Sequence, residues 1–342
     1  MAVRARRENR RSRTILYAAI LVLMSVFPLV AGDYDVVLVS RIMCFAILAM
    51  SLDLIWGYTG LLSFGHGAFF GIGSYSLGLT LKYFNFPGVT YVGIFMGTFG
   101  AMFFACILGY FLFYGRVSGI YFGIITLALT TIFYSIVNHP DVFYITGGQN
   151  GLYGRFLNPV YGIPGVLEYT RTVISSVSNY YTIMVAFVVT FAFCRHLVNS
   201  PFGKILRAIE NNEERLEYLG YNVANFKIII FTIACGLAGF AGTISVPVQF
   251  IGPTVFGLIF STSIIIWVAV GGRGSLVGPI IGTLLVTYME NWLSTQFEYL
   301  WVLLMGAFFI LVIVFQPDGL IGVYQYLRSL MKRLPATSSN DL

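Results

Sequence analysis

Charge is what this chain has least of. Asp, Glu, Lys and Arg make up 10% of its 342 residues while 58% are hydrophobic, against about 25% charged in an ordinary soluble domain. A soluble protein of this length has room for a large core but needs a charged surface to meet water, and there is too little charge here to make one. A soluble enzyme is excluded, and lipid is the solvent for most of the surface. The apolar runs are long and continuous, which favours helices over the short alternating segments of a membrane barrel.

Catalytic and nucleotide signatures are also missing. GxxxxGK(S/T) does not occur: the one Gly-Lys pair, Gly203-Lys204, is followed by Ile205 and has Val198 where the first glycine should stand. The chain therefore does not hydrolyse ATP by itself and binds no cofactor directly. His66, His139 and His196 show no HExxH or paired spacing, so no metal site is expected. GxSxG is absent, which leaves an intramembrane serine hydrolase without a nucleophile elbow. The four cysteines, Cys44, Cys106, Cys194 and Cys235, lie in or beside apolar runs without CxxC spacing and read as small packing residues. The net charge of +6 does not mark a nucleic-acid partner, because the basic residues sit at the ends of apolar runs, where they set topology.

What is present is a series of apolar runs near residues 15–31, 36–56, 60–81, 89–114, 119–138, 176–194, 226–247, 255–271, 276–294 and 299–315. They predict an all-α polytopic membrane protein of about ten transmembrane helices. The first run, behind Arg4 to Arg13, resembles a secretory signal but reads as an uncleaved first helix, since a polytopic protein needs no separate signal. Six arginines precede Thr14, which places the N-terminus in the cytoplasm. Counting ten spans then puts Arg116, the stretch Arg195 to Arg215, Lys227, Arg273 and the tail residues Arg328, Lys332 and Arg333 inside. Asp33, Asp35, Asp141, Glu168 and Glu298 fall outside; nine spans break this pattern. The organisation is a basic cytoplasmic tail (1–14), one transmembrane domain (15–323) and a second cytoplasmic tail (324–342). The run 255–271, preceded by Gly252, Pro253 and Gly257, is short enough to be re-entrant or broken. Five runs lie on each side of a long loop, which permits an inverted repeat, although no self-similarity asserts one.

Two segments outside the apolar runs stand out. The external loop 139–175 carries the turn Thr146-Gly147-Gly148-Gln149-Asn150-Gly151, and loops of such length usually have a task. Residues 199–222 form a helix-like cytoplasmic segment with Phe202, Leu206, Ile209, Leu216 and Leu219 on one side and Lys204, Arg207, Glu210, Glu214 and Glu217 on the others. Gly220 with Asn222 is its stop signal. Its four glutamates against three basic residues favour a protein groove over anionic lipid.

Within the membrane, Asp53 and His66 are the informative ionisable residues, because such groups are costly there and usually face a path or a partner. The plain alternatives are that Asp53 caps a helix end and that Gly60, Gly65, Gly67, Gly71 and Gly73 let helices pack closely. Candidates for a translocation path are Asp53, Trp56, Ser63, His66, Gly67 and Gln249. The run Trp267 to Pro279 contains a GGRG that reads as a tight cytoplasmic turn, with Arg273 as anchor and Gly278-Pro279 opening the next helix.

Three stretches carry a family resemblance: Gly57 to Gly73, Thr146 to Leu152, and Ser200 to Glu213 with Leu219-Gly220. Over residues 36–323 the chain resembles a permease subunit of the branched-chain amino-acid and urea branch of ATP-binding cassette (ABC) importers. Details such as Leu52 to Gly60, Val246-Pro247-Val248-Gln249 and Phe315 to Gly322 are most similar to the second of the two urea-importer permeases. Glu214-Arg215-Leu216 departs from the Glu-Ala-Ala usual in ABC permease coupling loops. The resemblance implies the ABC importer permease fold in a bacterial inner membrane, a second homologous permease, two cytoplasmic ATPase subunits using ATP and Mg, and an extracytoplasmic substrate-binding protein. It makes Gly148, Gln149 and Asn150 the loop facing the binding protein, and Phe202, Gly203, Arg207, Glu210, Glu214 and Gly220 the ATPase coupling residues. The expected solute is urea first, because an uncharged solute suits a path with little charge, and branched-chain amino acids second. A self-sufficient channel or ion-coupled carrier, with Asp53 and His66 as proton relay, is the alternative of another class.

Overall fold

The structure is a computed structural model and describes residues 19–84, 86, 88–152, 176–297, 300–315, 319, 320 and 322. The tails 1–14 and 324–342, residues 153–175 of the loop 139–175 with Glu168, and Glu298 lie outside the described residues. Helices coincide with all ten apolar runs: α1 (Ala19–Val30), α2 (Asp33–Thr59), α3 (His66–Tyr83), α4 (Val89–Tyr114), α5 (Gly119–Val137), then a short α6 (Phe143–Thr146), α7 (Ser176–Asn199), α8 (Pro201–Asn211), α9 (Glu213–Tyr218), α10 (Val223–Ser245), α11 (Leu258–Gly271), α12 (Val277–Gln296) and α13 (Trp301–Phe315). Among the described residues, five helices are long and apolar enough to cross a membrane: α2, α4, α5, α7 and α10.

The centre of the bundle is α2. Its residues from Ile42 to Ile55 are buried on every side, as expected of a helix apolar all round, and α7, α8, α10, α11 and α12 pack around it. A second group, α3, α4 and α10, is held at short range by small residues. A side chain on Gly73 would run into the Gly239 carbonyl, and one on Gly242 into the Phe70 carbonyl. Glycine here brings backbones together where apolar side chains gain little over lipid, the usual means of helix association in membranes. The α11–α12 hairpin closes in the same way through Gly271, Gly278 and Gly282.

Two expected spans are modified. The run from residue 60 is not helical until His66; Gly60 turns the chain with a φ of 74°, and Leu61 to Gly65 is non-helical and largely buried. Two of its amides are met by side chains: the Phe64 amide donates across the bundle to Thr126 Oγ1 at 3.1 Å and the Gly65 amide to the nearby Ser63 Oγ at 3.2 Å. The run from residue 255 begins with a 3-10 turn, Pro253–Phe256, and α11 has 14 residues, about 21 Å of helix against a hydrocarbon core of about 30 Å. The predicted single segment 199–222 is also two helices. Asn212 leaves the helical conformation, and its side chain accepts from the Arg215 amide at 2.9 Å to cap α9, a competition with the helix backbone that short polar side chains win readily. Leu219, expected on the apolar side, is exposed as a result.

The bundle has two distinct ends. One gathers α8 and α9, the α4–α5 turn and the α11–α12 turn. The other gathers α6, residues 147–152, the end of α3 at Lys82 and the segment 246–252.

Candidate functional site

At the α8 end, the chain turns sharply from α7 into α8. Ser200 Oγ accepts from the Gly203 amide at 3.3 Å, with Pro201 in the first turn, a standard helix start. A side chain on Gly203 would strike the Val198 carbonyl, so the elbow needs glycine there. Leu206, Ile209 and Leu216 are buried, and Phe202 packs its ring 5.8 Å from that of Phe226. Arg207 lies over the Tyr58 ring at 5.1 Å, and the Glu210 side chain reaches Gly60. The elbow therefore sits directly beneath the last turn of α2. Gly220 ends α9, and Asn222 caps the following α10.

The same turn of α2 is tied to the α11–α12 turn. Asp53, fully buried, accepts from the Gly274 amide through Oδ1 at 2.7 Å, while Oδ2 has no partner. Gly57 leaves room for this approach, since a side chain there would meet both Asp53 and Gly274. The Arg273 guanidinium stands 6.0 Å over the Trp56 ring. Asp53 and Trp56 thus lie in the joint between α2 and the hairpin turn. Beside the elbow, Lys227 of α10 forms a 2.6 Å ion pair with Glu213. It borders a groove of about 980 Å³ lined by Arg116, Glu210, Asn211, Glu214, Glu217 and Lys227 among others.

At the opposite end the TGGQNG turn forms a compact knuckle. Gly147, Gly148 and Gly151 all have positive φ and each is crowded by neighbouring atoms, so the knuckle demands glycine for both conformation and space. Thr146 Oγ1 donates to the Val137 carbonyl at 2.8 Å, and Lys82 donates to the Tyr144 and Ile145 carbonyls, each at 2.9 Å. Gly148 is buried while Gln149 and Asn150 are exposed at the tip. The Leu152 amide donates to the Ile251 carbonyl at 2.8 Å, which ties the knuckle to the segment carrying Gln249. The Gln249 Oε1 atom is buried without a partner.

Between the two ends, His66 opens α3 with its ring buried against the Ser51 main chain. Ser63 and His66 are both about 1% exposed. Gly67 faces Ser261 of α11 and the Val255 carbonyl. The structure thus brings His66 to the Ser51 main chain and Gly67 to Ser261, while Asp53 and Trp56 meet the α11–α12 turn and Gln249 lies on the segment tied to the knuckle. Sequence reasoning passed over Arg41 of α2 and Glu290 of α12. Arg41 Nε is buried without a partner and its charge acts on Glu290; a lone charge inside an apolar run was the signal for both.

The family model for the branched-chain amino acid transport system permease component matches residues 36–313. The chain belongs to that family. It is 27% identical over 330 residues to the high-affinity branched-chain amino acid transport system permease protein LivM of Escherichia coli, covering 90% of this chain and 74% of that protein. It is 24% identical over 290 residues to the corresponding BraD protein of Pseudomonas aeruginosa, covering 81% and 91%. A shorter likeness, 29% over 119 residues, covers 33% of this chain and 36% of the ribose import permease protein RbsC of Bacillus subtilis. No solved structure matches. The expected family is therefore right, and the order of the two expected solutes is reversed: the names of the long matches carry branched-chain amino acids, and urea has no support among them.

Proposed function

We propose that the chain is one of two permease halves in an ATP-driven importer of branched-chain amino acids. It acts in a bacterial inner membrane with a second permease, two cytoplasmic ATPases and an external binding protein. The observation that supports this most is the mixed-charge elbow α8–α9 seated beneath α2, next to an acid-rimmed groove, in a family of transport permeases. A helix pair that presents charge outward and rests its apolar side on the central helix is suited to receive a push from a cytoplasmic partner. Phe202, Gly203, Arg207, Glu210, Glu214 and Gly220 are the residues assigned to that contact. Gly148, Gln149 and Asn150 at the knuckle are assigned to the binding protein, since the two exposed tips stand on a turn braced by Lys82.

The experiment is uptake of labelled leucine and labelled urea by vesicles carrying the complete importer. ATP-dependent leucine uptake is expected. Urea uptake without leucine uptake would overturn the substrate, and solute flux through this chain alone, without ATPases, would overturn the importer itself.

A further inference from the structure

Two breaks in helical structure meet inside the bundle. The non-helical stretch Gly60 to Gly65 delivers the first turn of α3 to the interior, and the 3-10 turn Pro253–Phe256 delivers the first turn of α11 beside it. The breaks also hold corresponding places in the two halves of the chain, each following the helix that comes second in its set of five apolar runs. Interrupted helices at matching positions in two halves are where transporters place polar solutes, because a helix start offers unpaired amides and an unwound stretch offers carbonyls.

The first turn of α3 has no side-chain cap. The Gly65 amide is used by Ser63 and the Ala68 amide by the Gly65 carbonyl. This leaves the His66 and Gly67 amides to be satisfied from outside the helix. A methyl group on Gly67 would lie 2.7 Å from Ser261 Oγ and 3.0 Å from the Val255 carbonyl oxygen. Glycine thus lets the start of α3 lie directly against a hydroxyl and a carbonyl of the α11 lead-in.

Ser261 supplies the independent observation. It is 2% exposed and its hydroxyl has no partner. The next two residues behave differently: Thr262 donates to the Leu258 carbonyl and Ser263 to the Ile259 carbonyl. Ser40, Thr59, Thr126 and Thr283 likewise fold back onto their own helices. A buried hydroxyl left without a partner carries a desolvation cost, and this one is aimed at a helix start.

We infer that the junction of Gly67 and Ser261 is a passage subsite for the charged head of an α-amino acid. The carboxylate is received by the His66 and Gly67 amides and Ser261 Oγ, and the ammonium group by the Val255 carbonyl. The partial positive charge of the α3 start favours an anion there. The inference rests on the amino-acid reading above and deepens it: a neutral solute such as urea gains little from a helix dipole. Ser261 and His66 are closed to solvent in this structure, so access requires movement of the segment 246–257, which the Leu152 to Ile251 bridge connects to the outer knuckle.

The test uses the complete importer in proteoliposomes with Ser261→Cys, and the wild-type chain to subtract labelling of the four native cysteines. During ATP turnover a small methanethiosulfonate reagent is expected to label the new thiol. Millimolar leucine should slow that labelling several-fold, whereas leucinamide, which lacks the carboxylate, should leave it unchanged. Ser261→Ala should lower leucine moved per ATP hydrolysed about tenfold, the scale of one lost charge-assisted hydrogen bond. Thr262→Ala, whose hydroxyl is already used, should leave that ratio unchanged. With wild-type leucine uptake intact, absence of labelling, equal protection by leucinamide, or a normal ratio in Ser261→Ala each overturns the subsite and spares the amino-acid reading. Failure of wild-type leucine uptake overturns both.

Discussion

The α8 end and the interior junction handle polar groups differently. At the α8 end most are tied: Asp53 Oδ1 to the Gly274 amide, Lys227 to Glu213, Arg207 to the Tyr58 face, Asn212 to the Arg215 amide, with Asp53 Oδ2 left over. At the junction, Ser261 Oγ is buried without a partner. A tied region transmits force because its parts move together. A region with unmet polar groups is poised for something that meets them. Under the proposed function the comparison sets coupling at one end against passage in the interior, and it can be strained at several points.

The strongest strain falls on the packing that holds both regions in place. Gly73→Val puts a branched side chain where the Gly239 carbonyl lies, between α3 and α10. Overpacking a filled core costs about 1–3 kcal/mol or more, and here the obstacle is backbone, which cannot rotate away. Loss of the folded protein is expected, read as disappearance of the monodisperse peak after detergent extraction. A folded, transporting Gly73→Val variant would show that α3 and α10 are not rigidly joined.

Next is the joint at Asp53. Asp53→Ala removes the acceptor for the Gly274 amide and leaves that part-buried donor unmet, a loss of about 1–3 kcal/mol. Asp53→Asn keeps an acceptor and should recover most of it. Thermal unfolding of the two variants beside the wild type checks this; equal losses would place the role in the charge and not in the hydrogen bond.

This joint also marks the limit of what sequence alone could say. The apolar runs located the helices because lipid imposes one rule on every span. The bounds were less legible. Residues 60–65 read as the start of a span, and the acceptor that meets the Phe64 amide in the non-helical path is Thr126, 62 positions away. Asp53 was visible as an intramembrane carboxylate, but its partner lies 221 positions along the chain, and no periodicity joins the two. His66 and Gly67 were legible as candidates; Ser261 was not, because one serine in the run Ser261-Thr262-Ser263 looks like its neighbours until their hydrogen bonds are seen to differ. The Asn212 break was missed because helical spacing continues across it.

A smaller effect distinguishes the two partners of the ion pair at the groove. The Lys227 side chain is 5% exposed and that of Glu213 is 42% exposed. Glu213→Gln leaves a buried ammonium without its counter-charge, whereas Lys227→Met removes the buried charge and leaves a carboxylate that water can solvate. Half exposure of the acid weakens the pair, so about 1–2 kcal/mol is expected for Glu213→Gln and under about 1 kcal/mol for Lys227→Met. Unfolding midpoints in matched detergent give the comparison, and the reverse order would mean that Lys227 is held mainly by the Phe113 face 6.0 Å away.

The least effect on stability, and the sharpest test of coupling, is expected at Glu214. It is exposed on α9 and lines the groove, so Glu214→Arg should change unfolding by no more than about 0.5 kcal/mol. If the acid rim faces a cytoplasmic ATPase, reversing one charge there opposes the contact, and ATP-linked leucine uptake should fall about tenfold with membrane insertion intact. Phe202→Ala acts from the other side of the elbow by loosening its stack on Phe226, and should lower uptake without altering the charge of the rim. The two changes separate recognition from force transfer. Raised ionic strength should weaken wild-type coupling in the manner of Glu214→Arg, because exposed charge is screened over about 8 Å at physiological salt. It should leave the deficit of Phe202→Ala unchanged. Normal uptake in both variants would detach the elbow from ATP hydrolysis and reduce the tied end of the molecule to scaffold alone.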